Sequence, residues 1–83
     1  MFKWEADFRK LSYLDNVVFL TKRGQMLYGI VRNEYDYDEN FSGHYIEDEE
    51  YNHYYADDVL CWCYIQDLIV FIPPEIRDKI ETP

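Results

Sequence analysis

"NVVFLTKRGQMLYGIVRN", residues 16–33, decides how this chain is read. Val17 and Phe19 alternate with Val18 and Leu20, and β-branched residues are frequent, which is strand patterning. Lys22-Arg23-Gly24-Gln25 is a short polar turn carrying the glycine that a positive φ requires. A second strand is expected over roughly 26–32, with Gly29 marking a bulge or a close backbone approach. The stretch predicts a β-hairpin, so the domain is built on a sheet.

Downstream, "VLCWCYI" (59–65) predicts a third strand. It is apolar on both faces and is therefore expected at the centre of the sheet. Gln66-Asp67 suits a turn, and "LIVFI" (68–72) predicts a fourth strand stopped by Pro73-Pro74. The second proline fits the first turn of a helix over 74–81, with Ile76 and Ile80 facing inward. Upstream, Trp4, Phe8 and Leu11 fall at i, i+4 and i+7, which predicts a short amphipathic helix over 2–14 lying on the sheet. No internal repeats are visible. The expected fold class is α+β: a small twisted, mainly antiparallel sheet or open barrel with one or two short helices. Eighty-three residues leave room for one modest core, hence a single domain over 1–83.

Between the hairpin and the third strand lies "EYDYDENFSGHYIEDEEYNHYYADD", residues 34–58. It holds ten carboxylates, six tyrosines and two histidines, and no lysine or arginine. The whole chain has 17 acidic and 8 basic residues, a net charge of −9. The other 58 residues carry seven acids against all eight bases, 8 − 7 = +1, so the acidity is local. Direct binding to DNA or RNA is not expected of such a chain, because phosphates attract the opposite sign. The stretch reads as an acidic, tyrosine-rich insert between strands. Glu34, Asp36 and Asp38 alternate with Tyr35 and Tyr37, which predicts carboxylates on one strand face and rings on the other. "HYI" and "YNHYYA" are expected to continue the sheet.

The two cysteines, Cys61 and Cys63, are too few for a disulfide scaffold. "MFKWEADFRK" has no apolar core of a signal peptide, and the longest apolar region is too interrupted for a membrane span. The expected setting is a cytoplasmic protein with reduced thiols and no membrane contact.

These residues bear on several chemistries. From Asp36 the chain resembles an EF-hand calcium loop at Asp36, Asp38, Asn40 and Glu47. Phe41 stands where that loop needs glycine, and the flanks alternate instead of showing helical period. Cys61, Cys63, His44 and His53 could supply zinc ligands, but C-x-C is poor spacing, and small buried hydrophobes in a strand account for the cysteines. No nucleophile motif or phosphate loop is present, and exposed acids do not make the unlike carboxylate pair of a hydrolase. The expectation is no enzyme, no metal and no cofactor.

Recognition remains. Tyrosine supplies contact area at low entropic cost, and a patch of one sign steers a partner of the other. Carboxylates at i, i+2 and i+4 on a strand stand about 6.6–6.8 Å apart, comparable to successive phosphates on one DNA strand. The expected partner-binding residues are Glu34, Asp36, Asp38, Glu39, Glu47, Asp48, Glu49, Glu50, Asp57 and Asp58 for charge, with Tyr35, Tyr37 and Tyr51 as anchors.

Val59, Trp62, the preceding hairpin and Pro73-Pro74 carry a resemblance to short phage and prophage proteins of unknown function, which end in a V-x-x-W strand and a proline-rich tail. Here a further apolar segment separates the tryptophan from the prolines, which departs from that pattern. By size, charge and lack of a catalytic motif the chain is also similar to small acidic phage inhibitors of host defence, the anti-CRISPR and anti-restriction proteins. The resemblance implies a DNA- or RNA-mimicking inhibitor of a larger basic protein, a nucleic-acid-binding nuclease or effector in a bacterial host cell; edge strands in a small sheet allow a monomer or homodimer. The alternative is a small sheet or barrel module that binds a peptide or small-molecule ligand in an aromatic groove. A structural subunit whose acidic loop prevents self-association is a third.

Overall fold

A computed structural model describes residues 3–79. Five strands form one antiparallel sheet: β1 (Asn16–Thr21), β2 (Met26–Tyr35), β3 (Phe41–Asp48), β4 (His53–Tyr54) and β5 (Val59–Tyr64). The order is β4-β3-β2-β1-β5, so the first four strands meander and the fifth returns to pair with β1. The sheet does not close, and with its short helices the fold is a small α+β domain.

Directly opposed residues share a face. Phe19 lies opposite Leu27 and Trp62, and Val31 lies opposite Ile46. Val17, Phe19, Val31, Ile46 and Trp62 are buried on that face, with Leu11 from the N-terminal segment. Tyr54 of β4 packs its ring 5.1 Å from Phe19 and extends the core to the far edge. Each such side chain contributes about 1.5–3 kcal/mol through burial, so the core follows from the period-two pattern alone.

Gly29 is a close-approach glycine. A Cβ there would lie 2.5 Å from Ile46 Cγ2 and 2.7 Å from the Glu47 carbonyl oxygen. The β2–β3 pairing is therefore tight at this point because nothing larger than hydrogen stands between the strands.

Three of the hairpin connections share one design. Residues 21–25, 36–40 and 48–52 each close with two backbone bonds, from the first residue's N–H to the fifth's carbonyl and from the fourth's N–H to the first's carbonyl. The fourth residue has positive φ in each: Gly24 at 81°, Glu39 at 63° and Tyr51 at 66°. A side-chain oxygen of the first residue, Thr21, Asp36 or Asp48, accepts from the fifth residue's N–H. This is the three-residue hairpin loop with an αL residue before the returning strand. Seen this way the chain does contain a short local repeat, D-Y-D-E-N and D-E-E-Y-N.

Several expectations are corrected. The N-terminal segment is not a helix over 2–14. It is extended, pairs Glu5 with Trp62 through two 2.8 Å backbone bonds, and then makes one 3-10 turn at Phe8–Lys10. The open edge of β5 offers backbone partners there, and Asp7 Oδ1 caps the 3-10 turn by accepting from Arg9 N–H. Phe2 lies outside the described residues. "VLCWCYI" is not central: β5 is the last strand, covered at its rim by Glu5. "LIVFI" is not a strand; Ile65–Leu68 is a helix, α1, followed by a 3-10 turn at Ile69–Phe71. A short apolar run fits either form, and with Glu5 already bridged to β5 the run coils instead of adding a strand. α2 (Pro74–Arg77) starts at its proline as expected, but Ile76 is exposed and Ile80 lies outside the described residues. Strand β2 runs to Tyr35, beyond the expected end.

Candidate functional site

The acidic stretch supplies two of the five strands and both of the last hairpin turns. The turn 36–40 and the turn 48–52 stand at opposite ends of β3, an eight-residue strand, and so lie about 25 Å apart. Within these turns the carboxylates divide into two kinds.

Some hold the fold. Asp36 Oδ1 accepts from the N–H groups of Asp38 and Asn40, each at 2.9 Å. Asp48 Oδ1 accepts from those of Glu50 and Asn52, and its Oδ2 accepts from Asn52 Nδ2 and the Tyr54 hydroxyl. Partial burial pushes the Asp48 carboxyl up, but these hydrogen bonds outweigh it and hold the group below the usual range. Burial and the Asp48 charge push the Tyr54 phenol up. Asp58 Oδ2 accepts from Tyr55 N–H, which starts the 3-10 turn Ala56–Asp58 leading into β5. Glu47 sits between Arg32 Nε at 3.7 Å and His53 Nε2 at 3.4 Å.

Others hold nothing. Asp38, Glu39, Glu49 and Glu50 are exposed at the two tips and make no ion pair or side-chain hydrogen bond among the described residues. Asp57 is equally exposed on the 3-10 turn. Tyr37 at one tip and Tyr51 at the other project fully or nearly so, with relative exposures of 106% and 79%. Tyr35 is exposed at the end of β2, edge-on to Phe41 at 6.4 Å.

The expected row of carboxylates on one strand face is corrected. Only Glu34 is in the strand, while Asp36 and Asp38 belong to the turn, where the first folds back on the backbone and the second faces solvent. Phosphate-like spacing along a strand is therefore not what this surface offers. Its charge sits on two knobs instead. The calcium-like positions do not converge either: Asp36, Asp38 and Asn40 share one turn, whereas Glu47 is near the other end of β3. Cys61 and Cys63 lie on β5, at the opposite edge of the sheet from His44 and His53. Cys63 is buried, and burial raises its thiol.

A third feature lies beside β3. β4 pairs only with Ile46 and Glu47, so residues 41–45 have no outer strand among the described residues. A groove of about 460 Å³ runs between this edge and residues 55–57. Phe8, Phe41, His44 and Tyr55 line it, with Glu34 and Asp57 at its rim. His44 is edge-on to Phe41 at 5.1 Å. His44 Nδ1 and, across the ladder, Asn33 Oδ1 are shielded from solvent and have no hydrogen-bond partner among the described residues, a cost of about 1–3 kcal/mol each. The sequence points to His44 only as a possible zinc ligand and to Phe41 only as the residue that breaks the calcium-like loop, and it gives no role to Asn33 or Tyr55. The available signal was the change from acids to "FSGHY" inside the acidic stretch.

No protein family, curated protein or solved structure matches this chain.

Proposed function

We propose that this protein is a small acidic inhibitor of the kind encoded by phages and mobile elements, without catalytic activity of its own. It docks onto the basic nucleic-acid-binding surface of a larger nuclease or effector and blocks it by competition, as an anti-CRISPR protein does. The observation that carries this reading is the pair of tyrosine-bearing tips with four unpaired carboxylates, held at a fixed separation by β3. Carboxylates already engaged by cations would be neutralised before a partner arrived. These four are not, and a rigid scaffold presents them at little entropic cost.

The test is capture of partners from bacterial lysate on the immobilised protein across a salt series, with mass spectrometry of the eluates. One nucleic-acid-binding protein, released by high salt and displaced by added DNA or RNA, is the expected result. The variant with Asp38, Glu39, Glu49 and Glu50 all changed to Lys is expected to lose at least about tenfold in association rate while remaining folded. Undiminished capture by that folded variant would refute the electrostatic mechanism.

A further inference from the structure

We infer that the open edge of β3 is a strand-addition site, and that its occupant is an extended partner segment carrying Lys or Arg. This stands on observations separate from the acidic tips and does not rest on the inhibitor reading.

Three features converge at residues 41–45. The first is the unfinished ladder. Asp48 donates its N–H outward to Asn52, and the two-residue alternation of an antiparallel strand points Ile46 and then His44 to the same side. Ile46 is covered by Tyr54, but β4 ends there, so the His44 N–H and carbonyl face an edge that no described strand covers. Edges of this kind are templates for an added strand, and proteins commonly blunt them with Lys or Pro. Residues 41–45 contain neither; Ser42 is an extra residue of β3 opposite the Glu34–Tyr35 step and Gly43 has φ 144°, so the regular edge is carried by His44 and Tyr45, which stay paired with β2.

The second feature is the groove itself. It runs along the edge, so a strand laid beside β3 would place alternate side chains into it, against Phe8 and Phe41. Strand addition draws affinity from main-chain bonds and specificity from such side-chain sites.

The third is charge. Glu34 and Asp57 line the groove, with the Glu34 carboxylate in hydrogen-bonding contact with the Tyr55 hydroxyl. Arg9 also lines it, but its guanidinium is turned to Asp7, with Nε 3.1 Å from Oδ1. The rim therefore favours a cationic segment. A second copy of this chain is disfavoured as the occupant, since each copy has a net charge of −9 and self-pairing would bring both sets of rim carboxylates to one seam.

The experiment selects displayed random octapeptides on the full-length protein, then measures synthetic versions by titration and by amide hydrogen exchange of the complex. Enrichment of peptides alternating apolar residues with Lys or Arg is expected. These should slow exchange of the His44 amide, and should lose at least about tenfold in affinity when every second peptide nitrogen is methylated, because added strands bind through those groups. Phe41→Ala and Asp57→Lys should each weaken the same peptides, while the four-site tip variant should bind them within a few-fold of the parent. Failure to enrich any peptide, enrichment of acidic or uncharged ones, an unprotected His44 amide, or equal binding of the methylated peptides would overturn the inference. So would sedimentation of the free protein as a dimer that protects His44. Failure of the parent protein to capture a nucleic-acid-binding protein from lysate, with peptide binding intact, would count against the inhibitor reading alone.

Discussion

At the scale of single residues, the tips combine exposure with backbone strain. Glu39 and Tyr51 hold φ near +65°, where Gly24 stands in the third turn of the same design. Side chains in this region cost energy that glycine avoids, and such strain collects at functional positions. Tyr51→Gly is therefore expected to leave the protein as stable or more so, by up to about 1 kcal/mol, while weakening partner capture. Thermal melting and the lysate assay together check this; a loss of both would make Tyr51 a structural residue. Gly29 is the opposite case. Gly29→Ala drives a methyl group into Ile46 and the Glu47 carbonyl, and about 1–3 kcal/mol of stability should be lost in urea unfolding. The pattern of strand residues disclosed Gly29 as special in advance, because glycine inside a strand has few other reasons to be there. Nothing in the local sequence disclosed that Asp36 is a turn residue, since Asp alternating with Tyr looks the same in a strand.

At the scale of elements, the hairpin 48–52 depends on one carboxylate. Asp48 accepts two backbone and two side-chain hydrogen bonds, and its carboxyl is held below the ordinary value of 3.8. A depressed folded-state pKa means that the unfolded chain binds the proton first as pH falls. The stabilisation is then fully present well above pH 3.8 and is lost progressively as pH drops through that value toward the lower folded one. Asp48→Asn should reduce stability at neutral pH and flatten its fall below pH 4, when stability is followed by denaturant unfolding at a series of pH values. An unchanged acid slope would show that Asp48 does not anchor the turn. The segment 68–72, expected as a strand, is helical at this same scale. Its run of Ile, Leu, Val and Phe satisfies strand and helix alike, and only the neighbouring edge, already bridged by Glu5, decides between them.

At the scale of the whole molecule, the described chain is longer than a compact globule. Its radius of gyration is 14.3 Å, against about 12 Å for a compact domain of this length. In the C-terminal segment Val70 and Ile76 are exposed. The charge acts at this scale as well. With ten carboxylates and no lysine or arginine in residues 34–58, association with a cationic surface should slow steeply as ionic strength rises, because the screening length falls from about 10 Å at 0.1 M to about 3 Å at 1 M. No described helix is long and apolar enough to cross a membrane.

The sequence by itself determined that this is a sheet domain, that its first hairpin turns at Gly24, that Gly29 marks a bulge or a close backbone approach, and that its negative charge is gathered in one segment. Those properties rest on periods of two and on residues with one evident use, and both are local. The tertiary structure decided which carboxylates are spent on turns and which face solvent. It also put β5 at an edge, coiled the last apolar run, and left residues 41–45 without a neighbour. Each of these depends on which strand lies beside which. That is settled by pairings between residues far apart in the chain, and a period read along the sequence carries no record of them.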